Sequence, residues 1–263
     1  MPRVERVALM ARTRDIGPAV ARFESVAERA GVEVIGEDAD QTGADLAGVL
    51  GGDGTMLRAL SRFLGTEIPV FGINFGRVGF LTSLPASDLE SGVERAFAGE
   101  FKTVELPTLE AEVGGELRAA VNDVVVTSDS VGRVIQLEHT VGGENLGVQS
   151  CDGIICATPP GSTAYNLSNG GPVLVWGLDA MVITFVAPHT LHARPLVVGP
   201  ETNIVVTNRS PDVDAVVLID GRRAGELAVG ESVTVHVGAA RSRLALLPEQ
   251  TFFTRYGQVF RTR

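Results

Sequence analysis

Ala44-Asp45-Leu46-Ala47-Gly48-Val49-Leu50-Gly51-Gly52-Asp53-Gly54-Thr55-Met56-Leu57 is the stretch on which the fold turns. Ala44 to Leu50 reads as a buried strand that runs straight into glycines. Met56, Leu57, Leu60 and Leu64 then mark one face of a helix. In an open parallel sheet, ligands bind where such strands end. Glycines let a phosphate approach the backbone, and the free amides of a helix start favour an anion. The spacing is neither G-x-G-x-x-G nor a Walker loop, since no Gly-Lys-Ser/Thr follows. What stands among the glycines is a carboxylate. It repels phosphate, so Asp53 serves a hydroxyl proton, a metal or a helix cap.

Outward from this loop, the first hundred residues alternate strand and helix. Arg6 to Met10, Val32 to Ile35 and Ile68 to Asn74 read as strands. Ile16, Val20, Phe23, Val26, Ala27 and Ala30 line a helix that Gly31 stops, and Asp88 to Phe97 reads as another. That alternation predicts a parallel sheet covered on both faces. After Phe101 the period changes. Thr108 to Val113 and Glu116 to Val121 flank Gly114-Gly115 as one hairpin. Ile135 to Val141 and Glu144 to Ile155 flank Gly142-Gly143 as another. Asn203 to Thr207, Ala215 to Ile219 and Ser232 to His236 are further strand-like runs, and Thr251 to Arg263 does not read as a strand pair. The expected boundaries are an α/β domain over residues 1–101 and a β-rich domain over 102–247.

Bulk properties restrict the function. The 263 residues are 44% hydrophobic and 21% charged, a globular composition. A formal charge of −10 argues against nucleic-acid binding, which needs a basic stripe. No apolar run is long enough to span a bilayer, and the start carries no secretion-signal pattern. Cys151 and Cys156 read as buried thiols of one strand, about 16 Å apart and too distant for a disulfide. C-x₄-C without a second pair is not zinc spacing, and no dedicated metal site is expected. The expected compartment is the cytoplasm.

Three more segments carry polar chemistry. Asp152 to Ser168 is an apolar strand that breaks into a turn rich in hydroxyls, with Ser162, Thr163, Tyr165, Asn166 and Ser168 within seven residues. Asn122-Asp123 is a polar pair between Ala119-Ala120-Val121 and Val124-Val125-Val126, costly unless bonded to something. Pro188-His189-Thr190-Leu191-His192-Ala193-Arg194-Pro195 holds two histidines without a third metal ligand, which favours structural histidines.

In this order the segments resemble the NAD kinase family. The family's motifs fall on Gly51 to Thr55, Gly72 to Leu81, Asn122-Asp123, Asp152 to Tyr165 and Pro188 to Pro195, so the likeness covers nearly the whole chain. Loops like Gly51 to Thr55 also occur in lipid kinases and phosphofructokinases; the Thr158 to Tyr165 and Pro188 to Pro195 runs together are far more specific.

The resemblance implies a Rossmann-like N-terminal domain and an all-β C-terminal domain, with residues 248–263 returning to the first. It implies NAD in the crevice between them, ATP or polyphosphate as donor, Mg²⁺ entering with ATP, and a homodimer or homotetramer. It implies that Asp53 is the general base and that Gly51, Gly52, Gly54 and Thr55 form the phosphate loop. It further implies NAD contacts from Asp53, Gly54, Arg58, Asn122, Asp123, Arg133, Asp152, Thr163, Ala164, Tyr165, Ser168 and Arg222. Four departures stand out: Pro160 for Thr or Ser, His192 for Ser or Asn, Arg222 for Gln, and Arg77-Val78 for x-Leu. Two competing readings are a lipid kinase of related fold, for which no basic amphipathic helix speaks, and a dinucleotide sensor without turnover, against which Asp53 stands.

Overall fold

The computed structural model describes residues 2–11, 16–76, 79–82, 84–130 and 132–260, so the Arg77-Val78 departure lies outside the described residues. The chain divides into two compact units, Met1–Glu105 with Ser242–Arg263, and Leu106–Arg241.

In the first unit, β1 (Arg6–Ala11), α1 (Gly17–Ala30), β2 (Glu33–Ile35), β3 (Leu46–Gly51), α2 (Asp53–Arg62), β4 (Val70–Asn74), β5 (Leu84–Pro85) and α3 (Leu89–Phe97) follow in order. α1 begins with a proline in its first turn and ends at Gly31, whose left-handed φ of 66° lets its N–H reach the carbonyls of Ala27 and Glu28. Its buried residues, Ala19, Phe23, Val26 and Ala27, have the spacing of one helical face. All six residues of β3 are buried, as befits a parallel strand covered on both sides. β1 pairs in parallel with β2 and β3, and β3 with β4. The chain thus builds outward from β1 in both directions, which makes the β1–β3 boundary a switch point. At the carboxyl edge, Gly51 of β3 lies opposite Asn74 of β4. The core joins Phe23, Leu50, Phe71, Ile73, Leu89 and Phe97, and Phe23 meets Phe97 edge-on at 5.6 Å.

In the second unit, β6 (Lys102–Val113, beginning in the first unit), β7 (Glu116–Ala120), β8 (Asp123–Ser128), β9 (Ile135–Val141), β10 (Glu144–Cys151), β11 (Gly153–Ala157), α4 (Tyr165–Ser168), β12 (Met181–Val186), β13 (Leu196–Val198), β14 (Ile204–Asn208), β15 (Ala215–Ile219) and β16 (Arg222–Leu227) follow. β17 (Ser232–Leu246) then carries the chain back to the first unit. One sheet has the order β13-β12-β11-β8-β15-β16, antiparallel throughout. The other strands of this unit include β10-β9-β14-β17 and the β6-β7 hairpin. Alternate residues of both sets, among them Leu109, Val124, Val126, Leu137, Ile154, Ile183, Ile204 and Val217, meet in one core.

The chain end is helical. α5 (Phe252–Phe260) belongs to the first unit, and its Phe252 and Phe260 rings lie 6.2 and 5.5 Å from that of Phe80. The class expected from sequence, an α/β first domain and a β-rich second with a returning tail, is the one observed.

One element differs. Glu144 to Ile155 is not a single strand: it breaks at Asp152, and β10 and β11 belong to different sheets. The Asp152 N–H bonds the Val186 carbonyl, and its own carbonyl accepts from Thr127 Oγ1. Cys151 and Cys156 therefore sit in different strands. Both are free and buried, and burial pushes both thiols up to about 12.

Candidate functional site

Asp53 is the first residue of α2, and Gly52 occupies the capping position. The Asp53 carboxylate makes no capping bond. It reaches instead to the turn after β4 and accepts three backbone N–H groups: Phe80 at 2.8 Å on Oδ2, and Leu81 at 3.1 Å and Thr82 at 3.3 Å on Oδ1. The cap reading of the sequence is thereby excluded. Gly79 is a consequence of this contact, since a Cβ there would stand 2.2 Å from Asp53 Oδ1. Carboxylate oxygens have two lone-pair sites each, so Oδ2 keeps one for a further donor.

The loop itself is roomy. A side chain at Gly52 or Gly54 would meet nothing within 4 Å. The Thr55 and Met56 N–H groups bond the Gly52 carbonyl at 3.0 and 3.1 Å, and the start of α2 carries the positive end of the helix dipole. Thr55 lies against Gly51, where an added Cβ would come within 2.3 Å of its Oγ1. Arg58, one turn along, donates from Nη2 to Glu37 at 2.8 Å, while its Nε is buried without a partner. Beside the loop, Asn74 is buried and accepts the Gly76 N–H at 2.8 Å.

The second unit builds its own polar corner at one end of the six-stranded sheet. Asn122 lies in the bend between β7 and β8, and Asp123 opens β8 opposite Ala157 of β11. This pair therefore sits at a strand end and not within a strand. Thr158 holds the bend from one side: its N–H donates to the Asn122 carbonyl at 2.9 Å and its Oγ1 to the Val121 carbonyl at 2.6 Å. Asp220 holds it from the other, accepting the N–H groups of Val121, Asn122 and Asp123 at 3.0, 2.7 and 3.2 Å. Gly161 is needed for the approach, since its Cβ would lie 1.9 Å from the Asn122 carbonyl oxygen.

Two groups stand out at this corner. Asn122 Oδ1 is buried and accepts no hydrogen bond, an acceptor left open to a donor. Asp123 is buried, and desolvation first, then the charge of Asp220, pushes its carboxyl up to about 7.

The hydroxyl-rich turn follows directly. Ser162 Oγ donates to the Pro159 carbonyl and accepts the Leu174 N–H, and Thr163 Oγ1 donates to the Pro160 carbonyl. Asn166 is buried, donating to the Ser162 and Pro172 carbonyls and accepting from Thr184. These bonds spend the side chains on the turn itself and leave Tyr165 standing out, 46% exposed. Ala164 and Ser168 flank it at the two ends of α4.

Arg222 is near this corner, paired across the Asp220-Gly221 turn with Ile219. Arg133 and Asp152 are not. Thr127 pairs with Gly153 at the opposite sheet end, and Asp152 precedes it; six residues of strand separate Asp152 from Thr158, about 20 Å. Arg133 follows β8 at that same far end and pairs with Asp212. Among the described residues no group of three or more His, Cys, Asp and Glu side chains gathers to hold a metal, and the rings of His189 and His192 belong to exposed residues.

Sequence reasoning missed Asp220, Thr158 and Arg255. Asp220-Gly221 reads as a plain tight turn, and the acceptor role of Asp220 depends on residues about a hundred positions away.

Known proteins match both halves. The family described as ATP-NAD kinase N-terminal domain matches residues 19–101, and that described as ATP-NAD kinase C-terminal domain matches residues 121–247. The NAD kinase of Heliobacterium modesticaldum is 42% identical over 80% of this chain and 76% of its own length. That of Geobacter sulfurreducens is 37% identical over 84% and 78%. A solved NAD kinase from Archaeoglobus fulgidus in complex with ATP shares the fold with a TM-score of 0.82 at 29% identity, over 97% of this chain and 98% of that one. Yeast NADH kinase complexed with NADH shares the fold with a TM-score of 0.84 at 23% identity, over 98% and 87%.

The Asp123 carboxyl gives a pH signature. Its folded value of about 7 lies above the ordinary one of about 3.9 for an unfolded chain, so between these the native state holds the extra proton. Its contribution to stability is present in full below about pH 4 and is lost as pH rises through about 7. Denaturant melts are expected to show this decline in the parent and not in Asp123→Asn. Equal pH profiles for the two proteins contradict the assignment.

Proposed function

The chain belongs to the NAD kinase family, and we propose that it transfers the γ-phosphate of ATP to the 2′-hydroxyl of the adenosine ribose of NAD, with Asp53 as general base. The observation that carries the base assignment is the Asp53 carboxylate itself, fixed by three backbone amides at a helix start with one lone-pair site of Oδ2 to spare.

A ribose hydroxyl becomes a competent nucleophile when its proton has an acceptor, and Asp53 takes that proton as the oxygen attacks phosphorus. The loop of Gly51, Gly52, Gly54 and Thr55 receives phosphate charge at the start of α2, ahead of the Thr55 N–H that bonds the Gly52 carbonyl. Mg²⁺ carried in by ATP supplies further neutralisation of the transferring group. Polyphosphate is a donor of the same chemistry, and the choice of ATP follows the Archaeoglobus complex.

In the second unit we assign the ribose and its neighbours to Asn122 and Asp123, since the open Asn122 Oδ1 and the adjoining buried carboxyl suit ligand hydroxyl and amino groups. Thr163, Ala164, Tyr165 and Ser168 take the rest of the dinucleotide, with the exposed Tyr165 ring offering a stacking face. Arg58 and Arg222 serve as flanking cationic contacts. Arg133 and Asp152, at the far sheet end, enter only through a homodimer or homotetramer, where that end is available to a neighbouring copy. Exposed edge strands support such assembly: β10 shows Leu146 and Val148, and β13 shows Leu196 and Val197. Free buried thiols fit the reducing cytoplasm, which we assign as the compartment.

Asp53→Asn tests the base. Asn offers one acceptor oxygen and turns its NH₂ toward an amide donor, so the variant is expected to lose about 1–3 kcal/mol of stability yet remain folded and bind NAD. Its turnover is expected to fall about 10²–10⁴-fold. A folded variant turning over within a few-fold of the parent contradicts the role. For assembly, light scattering is expected to give a multiple of 27.6 kDa; a monomer mass at working concentration contradicts it.

A further inference from the structure

Asp53 is held by a turn that is itself held from behind. The N–H groups of Phe80, Leu81 and Thr82 fix the carboxylate, and the same residues turn their other faces to α5. Arg255 Nη2 donates to the Thr82 carbonyl, the opposite end of the residue whose N–H reaches Asp53 Oδ1. The buried Phe80 ring packs between Phe252 and Phe260, which lie about two turns apart on the helix. Tyr256 closes the cluster, 4.7 Å from Phe260 and 6.2 Å from Phe252. All of these residues belong to the first unit.

We propose that the C-terminal helix is a positioning element for the phosphoryl-transfer step, with Arg255 as the positioning residue that sets Asp53 through the Phe80–Thr82 turn. The proposal rests on the reading of Asp53 as general base.

Thr82 is tethered at both ends, its N–H on Asp53 and its carbonyl on the Arg255 guanidinium, so the charge-assisted bond from Arg255 fixes the residue whose amide grips the carboxylate. Arg255 is also a cation facing Asp53. Burial lowers the basicity of its guanidinium, and the Asp53 charge works against that change. A half-buried arginine on an otherwise aromatic helix face is costly unless its charge has such a purpose. Without Arg255 the turn loses the charged tether on the side away from Asp53, and the packing of Phe80 that remains there has no directional demand, so Asp53 would lose angular definition relative to an incoming hydroxyl. Small misplacements of this kind are costly in rate, on the order of 10²-fold for 1 Å.

The test is a double-mutant cycle on the full chain, with Arg255→Ala made in the parent and in Asp53→Asn. Melting temperature and NAD binding are measured on every protein. In the parent, Arg255→Ala is expected to lower kcat about 10–100-fold while KM for NAD stays within about 2-fold. In Asp53→Asn the same change is expected to lower the residual kcat by less than about 2-fold, because the group it positions is already disabled. Arg255→Lys, which keeps a donor and a charge, is expected to recover most of the rate, and it carries the test should the alanine variant fail to fold. An equal loss in both backgrounds, an effect on KM alone, or an unchanged kcat overturns the proposal. If Asp53→Asn alone keeps the parent's turnover, the base assignment fails instead, and the two failures are told apart by that one measurement.

Discussion

The first unit is organised around one charged group that is never left to water alone. The Asp53 carboxylate stands at the start of a helix beside glycines, and the peptide backbone holds it through three amides of the turn after β4. Much else follows from that contact. Gly79 has no Cβ because the carboxylate occupies the space. β3 and β4 must be adjacent and in register, Gly51 opposite Asn74, so that the loop and the turn meet. The chain end must come back to the first unit, since Phe252, Arg255 and Phe260 support the turn from its other side.

The second unit solves a similar problem with opposite chemistry. Its corner keeps an acceptor open. Asp220 and Thr158 spend their hydrogen bonds on the backbone of the Asn122 bend, and Asn122 Oδ1 stays buried without a partner. Asp220 serves as the backbone acceptor while raising the cost of a second charge on Asp123.

The sequence carried much of this and hid the rest for definable reasons. Period and punctuation located the α/β half, because β3 is apolar throughout and Gly31 caps α1 with a left-handed residue. The Gly114-Gly115 hairpin was legible from two alternating runs about a glycine pair. The break at Asp152 was not read, although Ser150 and Asp152 interrupt the face begun by Leu146 and Val148 and Asp152-Gly153 is a turn-type pair; the bond to the Val186 carbonyl, far along the chain, shows the break. Asp53 could be singled out by its charge among glycines, but that its carboxylate turns to the amides of residues 80–82 was not legible. Asp220 and Arg255 gave no signal, because each acts on backbone groups and backbone is the same in every sequence. Asp152 and Arg133 followed from family resemblance alone, and the strand geometry puts them at the other sheet end from Thr158.

The proposed reaction is a single chemical event, formation of a phosphate monoester on the 2′-oxygen of NAD. The most direct measurement is ³¹P NMR of the product after incubation of the protein with ATP, Mg²⁺ and NAD. The account predicts one new monoester resonance, coupled to the ribose 2′ proton, growing in step with ADP. ADP appearing with inorganic phosphate alone, or a monoester on any other oxygen of the dinucleotide, would contradict it.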